Sequence, residues 1–68
     1  MSVAGQGEVY FEFTRVGASV KVAAIDGETG IEVIVVGPAT AAPRDLERLA
    51  LAKLKARLAK EDDLGNGA

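Results

Sequence analysis

Residues 9–38 read VYFEFTRVGASVKVAAIDGETGIEVIVVGP, and residues 43–60 read PRDLERLALAKLKARLAK. In the first stretch apolar residues recur at every second position. In the second, leucine and alanine recur at the 3.6-residue period of a helix. The change of period near Pro38 predicts strands up to that point and one helix after it. The expected fold class is α+β: a three-stranded antiparallel β-meander with one C-terminal α-helix packed on one face, in the order βββα.

Working outward from the alternation, the first strand is expected over residues 8–15, with Val9, Phe11 and Phe13 on one face and Glu8, Tyr10, Glu12 and Thr14 on the other. Val16-Gly17-Ala18 makes the first turn, with Gly17 supplying a positive φ. The second strand covers 19–25, placing Val20, Val22 and Ala24 opposite Lys21, Ala23 and Ile25. Asp26-Gly27-Glu28-Thr29-Gly30 is the second turn, because Asp-Gly between alternating segments is a hairpin signal. It lacks the Lys-Ser/Thr of a phosphate loop and the ligand spacing of a calcium loop. The third strand runs from 31 to 36, with Ile31, Val33 and Val35 on the first face, and Gly37-Pro38 is expected to end it because proline cannot donate to the ladder.

The helix is expected to begin at Pro43, a favoured first-turn residue, with Asp45 complementing the positive end of the helix, and to finish near Lys60. Leu46, Ala50, Leu54 and Leu58, flanked by Leu51, form the stripe that should lie on the Val9/Phe11/Phe13 face of the sheet. Leu49, Ala52, Ala56 and Ala59 form a second stripe of mostly small residues, on which another helix could close. Flanking this single domain (8–60), residues 1–7 read as a flexible N-terminal arm and 61–68 as a disordered acidic tail.

The chain has 68 residues, no cysteine and no histidine. A domain of this size buries only about 60% of its unfolded surface, and small domains compensate with disulfides, metals or association. Here the first is impossible and the second is chemically disfavoured, so self-association is expected. The uncovered face of the sheet points the same way. An open antiparallel face is ordinarily polar, yet Tyr10, Ala23, Ile25, Ile34 and Val36 would form an apolar patch on it. Together with Leu49, Ala52 and Ala56 these are the candidate interface residues. A homodimer could form edge to edge or face to face, and the residues leave both open.

Net charge is −2 but unevenly placed. In residues 1–42 Arg15 and Lys21 meet Glu8, Glu12, Asp26, Glu28 and Glu32, a net −3. In residues 43–60 Arg44, Arg48, Lys53, Lys55, Arg57 and Lys60 outweigh Asp45 and Glu47 by four charges, and Glu61, Asp62 and Asp63 follow. A basic helix could contact nucleic acid, but its charges fall in two separate strips, Arg44/Arg48/Lys55 and Lys53/Arg57/Lys60, and the acidic sheet would repel phosphate. No serine, threonine or tyrosine has a credible base beside it, and no βαβ unit is present for a dinucleotide. The expectations are therefore no enzyme activity, no cofactor, no metal and no membrane span. Neither a secretory signal nor an apolar run of spanning length is visible, so a cytoplasmic location is expected.

The segments VYFEFTRVGASVKVAAIDGETGIEV, VGP and LERLALAKL together resemble a group of short alphaproteobacterial proteins of βββα type with no assigned function. The resemblance covers about three quarters of the chain and implies a complete stand-alone protein. It brings no active site or ligand with it. The functional expectation is thus a non-catalytic homodimer presenting a mixed apolar and acidic surface to a protein partner, with nucleic-acid binding through the helix as the alternative.

Overall fold

The computed structural model describes residues 8–67, with side chains as far as Glu61. Three strands, β1 (Val9–Val16), β2 (Ser19–Asp26) and β3 (Glu32–Pro38), form one antiparallel sheet in the order β1-β2-β3, and the helix α1 (Pro43–Gly67) follows. This is the expected βββα meander. The predicted N-terminal arm, residues 1–7, lies outside the described residues.

The register places Phe11 opposite Ala24 and Ala24 opposite Val33, and it sets Phe13, Val22 and Val35 in the neighbouring row. Those rows form the helix side of the sheet, as the alternation predicts. Gly17 takes the positive φ of 60° expected of the first turn. In the second turn the left-handed residue is Gly30, with φ of 78°, and not Gly27 of the Asp-Gly pair. The reason lies in Asp26. Its carboxylate is buried and accepts bonds from the Thr29 hydroxyl (2.7 Å) and the Thr29 backbone N–H (2.8 Å), while the Gly30 N–H donates to the Asp26 carbonyl at 2.8 Å. The side chain closes the loop as an Asx-type turn.

Two predicted boundaries shift by more than one residue. The third strand continues through Gly37 and Pro38, which oppose Val20 and Ser19. The Asp26 N–H donates to the Ile31 carbonyl, so odd-numbered residues of β3 bond to β2 and even-numbered ones point their backbone groups to the free edge. Pro38 is even, and the N–H it lacks would have faced the open edge. The helix begins at Pro43 as expected, with the Ala42 carbonyl accepting from the Asp45 and Leu46 N–H groups. It then runs to Gly67, well past the expected end near Lys60. Nothing between Lys60 and Leu64 breaks a helix, and Arg57 bonds Glu61 one turn on at 2.9 Å.

The buried core comprises Val22, Ala24, Val33, Leu46, Ala50 and Leu54, with Val9, Phe11, Val20, Ile31, Val35 and Leu58 partly buried around it. The leucine stripe lies on the Val9/Phe11/Phe13 face of the sheet, as expected, and on that face α1 sits over β2 and β3. One cause is at Gly37, where a Cβ would run into the Leu46 side chain. The absent side chain lets the first turn of the helix settle onto the end of β3. Another is width. A helix about 10 Å across covers about two strands spaced 4.8 Å apart, so Phe13 on β1 remains 43% exposed on the helix side.

This packing orders the effects of substitution. Leu54→Ala should cost about 2–5 kcal/mol and Gly37→Ala about 1–3 kcal/mol, the latter by overpacking against Leu46. Phe13→Ala should cost about 1 kcal/mol or less in the monomer because much of the ring is already solvated. Urea unfolding of the three variants checks the order.

Acid stability should report the Asp26 turn. The Thr29 hydroxyl and then the Thr29 N–H hold the Asp26 carboxyl below its ordinary value of 3.8. A lowered folded-state value stabilises the protein above the unfolded value, and that contribution is lost as pH falls through the folded one. Asp26→Asn should flatten the stability profile below about pH 4, and thermal unfolding as a function of pH tests it.

Candidate interaction surface

On the face away from the helix, cross-strand rows bring together Tyr10, Ile25 and Glu32, then Glu12, Ala23 and Ile34, then Thr14, Lys21 and Val36. The five sheet residues predicted to form a patch thus adjoin one another. Tyr10 (51%), Ile34 (40%) and Val36 (67%) are exposed. Ala23 is buried and Ile25 half-buried between them. The result is an apolar strip with a shallow centre at Ala23, bordered by Glu12, Glu32 and Lys21.

Tyr10 stands at one end of the strip, its ring against Gly27, where a Cβ would come within 2.9 Å of the tyrosine Cε2. The charge of the nearby Glu8 carboxylate, and hydrogen bonding to it, raise the Tyr10 hydroxyl above its ordinary value of 10.0. Glu12 and Glu32 lie on outer strands with β2 between them. Among the described residues no three acidic groups come together in a way that could hold a metal ion.

The helix residues Leu49, Ala52 and Ala56 are exposed, Leu49 at 58%. They lie on α1, away from the open sheet face, so the eight predicted interface residues fall on two separate surfaces. The basic strips are partly occupied internally. Lys53 donates from Nζ to the Ile34 carbonyl at 2.7 Å, Arg57 pairs with Glu61, and Arg48 lies 4.0 Å from Asp45.

Sequence reading missed a third surface. Because α1 covers β2 and β3, the helix side of β1 carries Phe13 exposed and Val9 and Phe11 half-buried beside the helix. Comparing the width of one helix with that of three strands would have pointed to it.

A family described as a domain of unknown function, DUF6898, matches residues 6–61. The chain belongs to this family. The match takes in the three strands, the linker and the helix as far as Glu61, so the fold described above is that of a DUF6898 domain. Neither the curated proteins nor the solved structures contain a match to the chain.

Tyr10 is the only tyrosine, which makes its environment directly measurable. An ultraviolet absorbance titration should show it ionising above its ordinary value, and Glu8→Gln should bring the midpoint down by removing the adjacent charge.

Proposed function

We propose that this DUF6898 protein is a non-catalytic interaction module that associates with a second copy of itself and offers its open sheet face to a protein partner. The observation that carries this reading is the strip of Tyr10, Ala23, Ile25, Ile34 and Val36, continuous across all three strands and uncovered by any described element. An apolar strip with charged borders has the make-up of an interface, not of an ordinary open sheet face. The small core supports association as well, since a cluster of six buried residues among those described is modest for a chain without disulfides.

The chemistry of the chain favours binding over catalysis. Histidine and cysteine are absent from the sequence. The Asp26 carboxylate and Thr29 hydroxyl, a pair that could have suggested acid–base chemistry, are bonded to each other within a turn. Nucleic-acid binding is the weaker reading because Lys53, Arg57 and Arg48 have partners within the chain and the opposite face carries Glu12 and Glu32.

Association that involves only the folded state makes unfolding depend on concentration. A hundredfold increase in protein concentration above the dissociation constant should raise Tm by about 5–10 °C, with light scattering giving twice the 7.0 kDa chain mass. A Tm independent of concentration together with a monomer mass would refute the self-association reading.

A further inference from the structure

We propose that the second copy docks on the free edge of β1, antiparallel to it, making a continuous six-stranded sheet with Phe13 at the two-fold axis. This rests on the self-association reading above and specifies its interface.

The two outer strands are not equivalent. On β3 the Ile34 carbonyl points to the free edge and receives the Lys53 ammonium at 2.7 Å, and Pro38 offers no edge donor. A lysine and a proline on an edge oppose strand addition. β1 contains neither lysine nor proline, and among the described residues no side chain occupies its edge carbonyls. The Gly27 N–H donates to the Glu8 carbonyl, which sets the parity of the β1–β2 pairing: even-numbered residues of β1 bond to β2, and Val9, Phe11, Phe13 and Arg15 turn their N–H and C=O groups outward. No described backbone group outside the sheet bonds to the outward N–H and C=O groups of these four residues; the Arg15 side chain donates from Nε to the Gly17 carbonyl at 2.6 Å.

The same four residues carry the helix-side side chains of β1, where Phe13 is exposed and Phe11 half-buried. Edge and apolar face are therefore free on one strand. A second β1 would satisfy the outward backbone groups and bring a further pair of phenylalanines over the uncovered part of the sheet, which a foreign strand need not do.

Charge and length select the register. Centring the pair on Glu12 places that carboxylate opposite its own copy, a destabilising like-charge contact. Centring it on Phe11 leaves only residues 9–13 of β1 (Val9–Val16) paired within the strand. Centring it on Phe13 pairs residues 10–16, sets Glu12 against Thr14 of the other copy, and places the Arg15 guanidinium by the Phe11 ring, a favourable cation–π arrangement. The open-face strip then runs continuously across both copies.

The test compares substitutions at the edge with one on the open face, with circular dichroism to verify folding. Arg15→Pro removes an outward donor without touching the β1–β2 ladder and should weaken the dimer at least about tenfold. Phe13→Lys, which places two ammonium groups at the axis, should do the same and serves as the second edge variant if the proline variant does not fold. Ile34→Lys should leave dimerisation within about twofold of the parent, since that side chain lies on the other face. Under mild oxidation Phe13→Cys should form a disulfide-linked dimer faster than Glu12→Cys, because hydrogen-bonded partners lie about 5.5 Å apart at Cα. A dimer lost with Ile34→Lys and retained with both edge variants would overturn the β1 edge in favour of the open face, leaving self-association intact. A parent protein that stays monomeric would overturn both.

Discussion

One helix cannot cover three strands, and the rest of this structure follows from where that helix is seated. Its place is decided at the junction of β3 and α1. Gly37 has no side chain, so Leu46 enters the space a Cβ would fill, and the short linker holds the start of α1 at the end of the strand it follows. The Ala39 N–H donates to the Ala18 carbonyl at 2.7 Å, tying the linker to the first turn. Small helix-side residues on the two covered strands, Ala24 and the valines around it, allow Ala50 and Leu54 to reach full burial. The bulky phenylalanines stand on β1, Phe11 packed at the margin of this cluster and Phe13 exposed beyond it.

That seating makes the sheet asymmetric in two ways that reinforce one another. The strand under the helix margin, β3, has an edge carbonyl occupied by Lys53. The strand beyond it, β1, is covered only in part, at Val9 and Phe11, and its outward backbone groups have no partner among the described residues. An exposed lysine bonding a backbone carbonyl contributes little to stability, of the order of a surface ion pair. Its larger effect is to exclude a neighbouring strand from one edge, leaving β1 as the edge on which a strand can add.

Much of this was legible in the residues. Alternation fixed which side chains share a face, and every strand side chain assigned to the open patch lies there. Pro43 marked the helix start because a proline at that position loses no intrahelical bond. The lateral position of the helix was not legible, because periodicity identifies the buried side of a helix but not which strands lie beneath it. Phe11 and Phe13 looked like the largest core residues and are only partly covered for that reason. The continuation of β3 through Pro38 depended on hydrogen-bond parity, which the register reveals and composition does not. The role of Asp26 was half legible: a turn was expected, but the turn is closed by the Asp26 carboxylate acting on Thr29, so the glycine that bends the chain is the fourth after it.

The sheet residues of the candidate surface share one face, and that face leaves out the strand edge beside it. In a strand, backbone and side-chain directions are locked together, so on β1 the residues that point outward at the edge also point toward the helix side. Val9, Phe11, Phe13 and Arg15 belong to that set. Tyr10, Glu12 and Thr14 bond to β2 through the backbone and present their side chains to the open face. The two sets use different atoms and different directions, so occupation of the edge by a second copy leaves the open strip of Tyr10, Ile34 and Val36 available. Edge pairing would instead extend it, doubling the apolar area while bringing Glu12 of each copy beside a neutral threonine. A partner meeting that face would find a longer apolar strip bordered by carboxylates, and the helix charges would remain on the far side of the sheet. On the proposed reading, self-association and partner binding would be successive uses of one strand, with the first enlarging the surface required by the second.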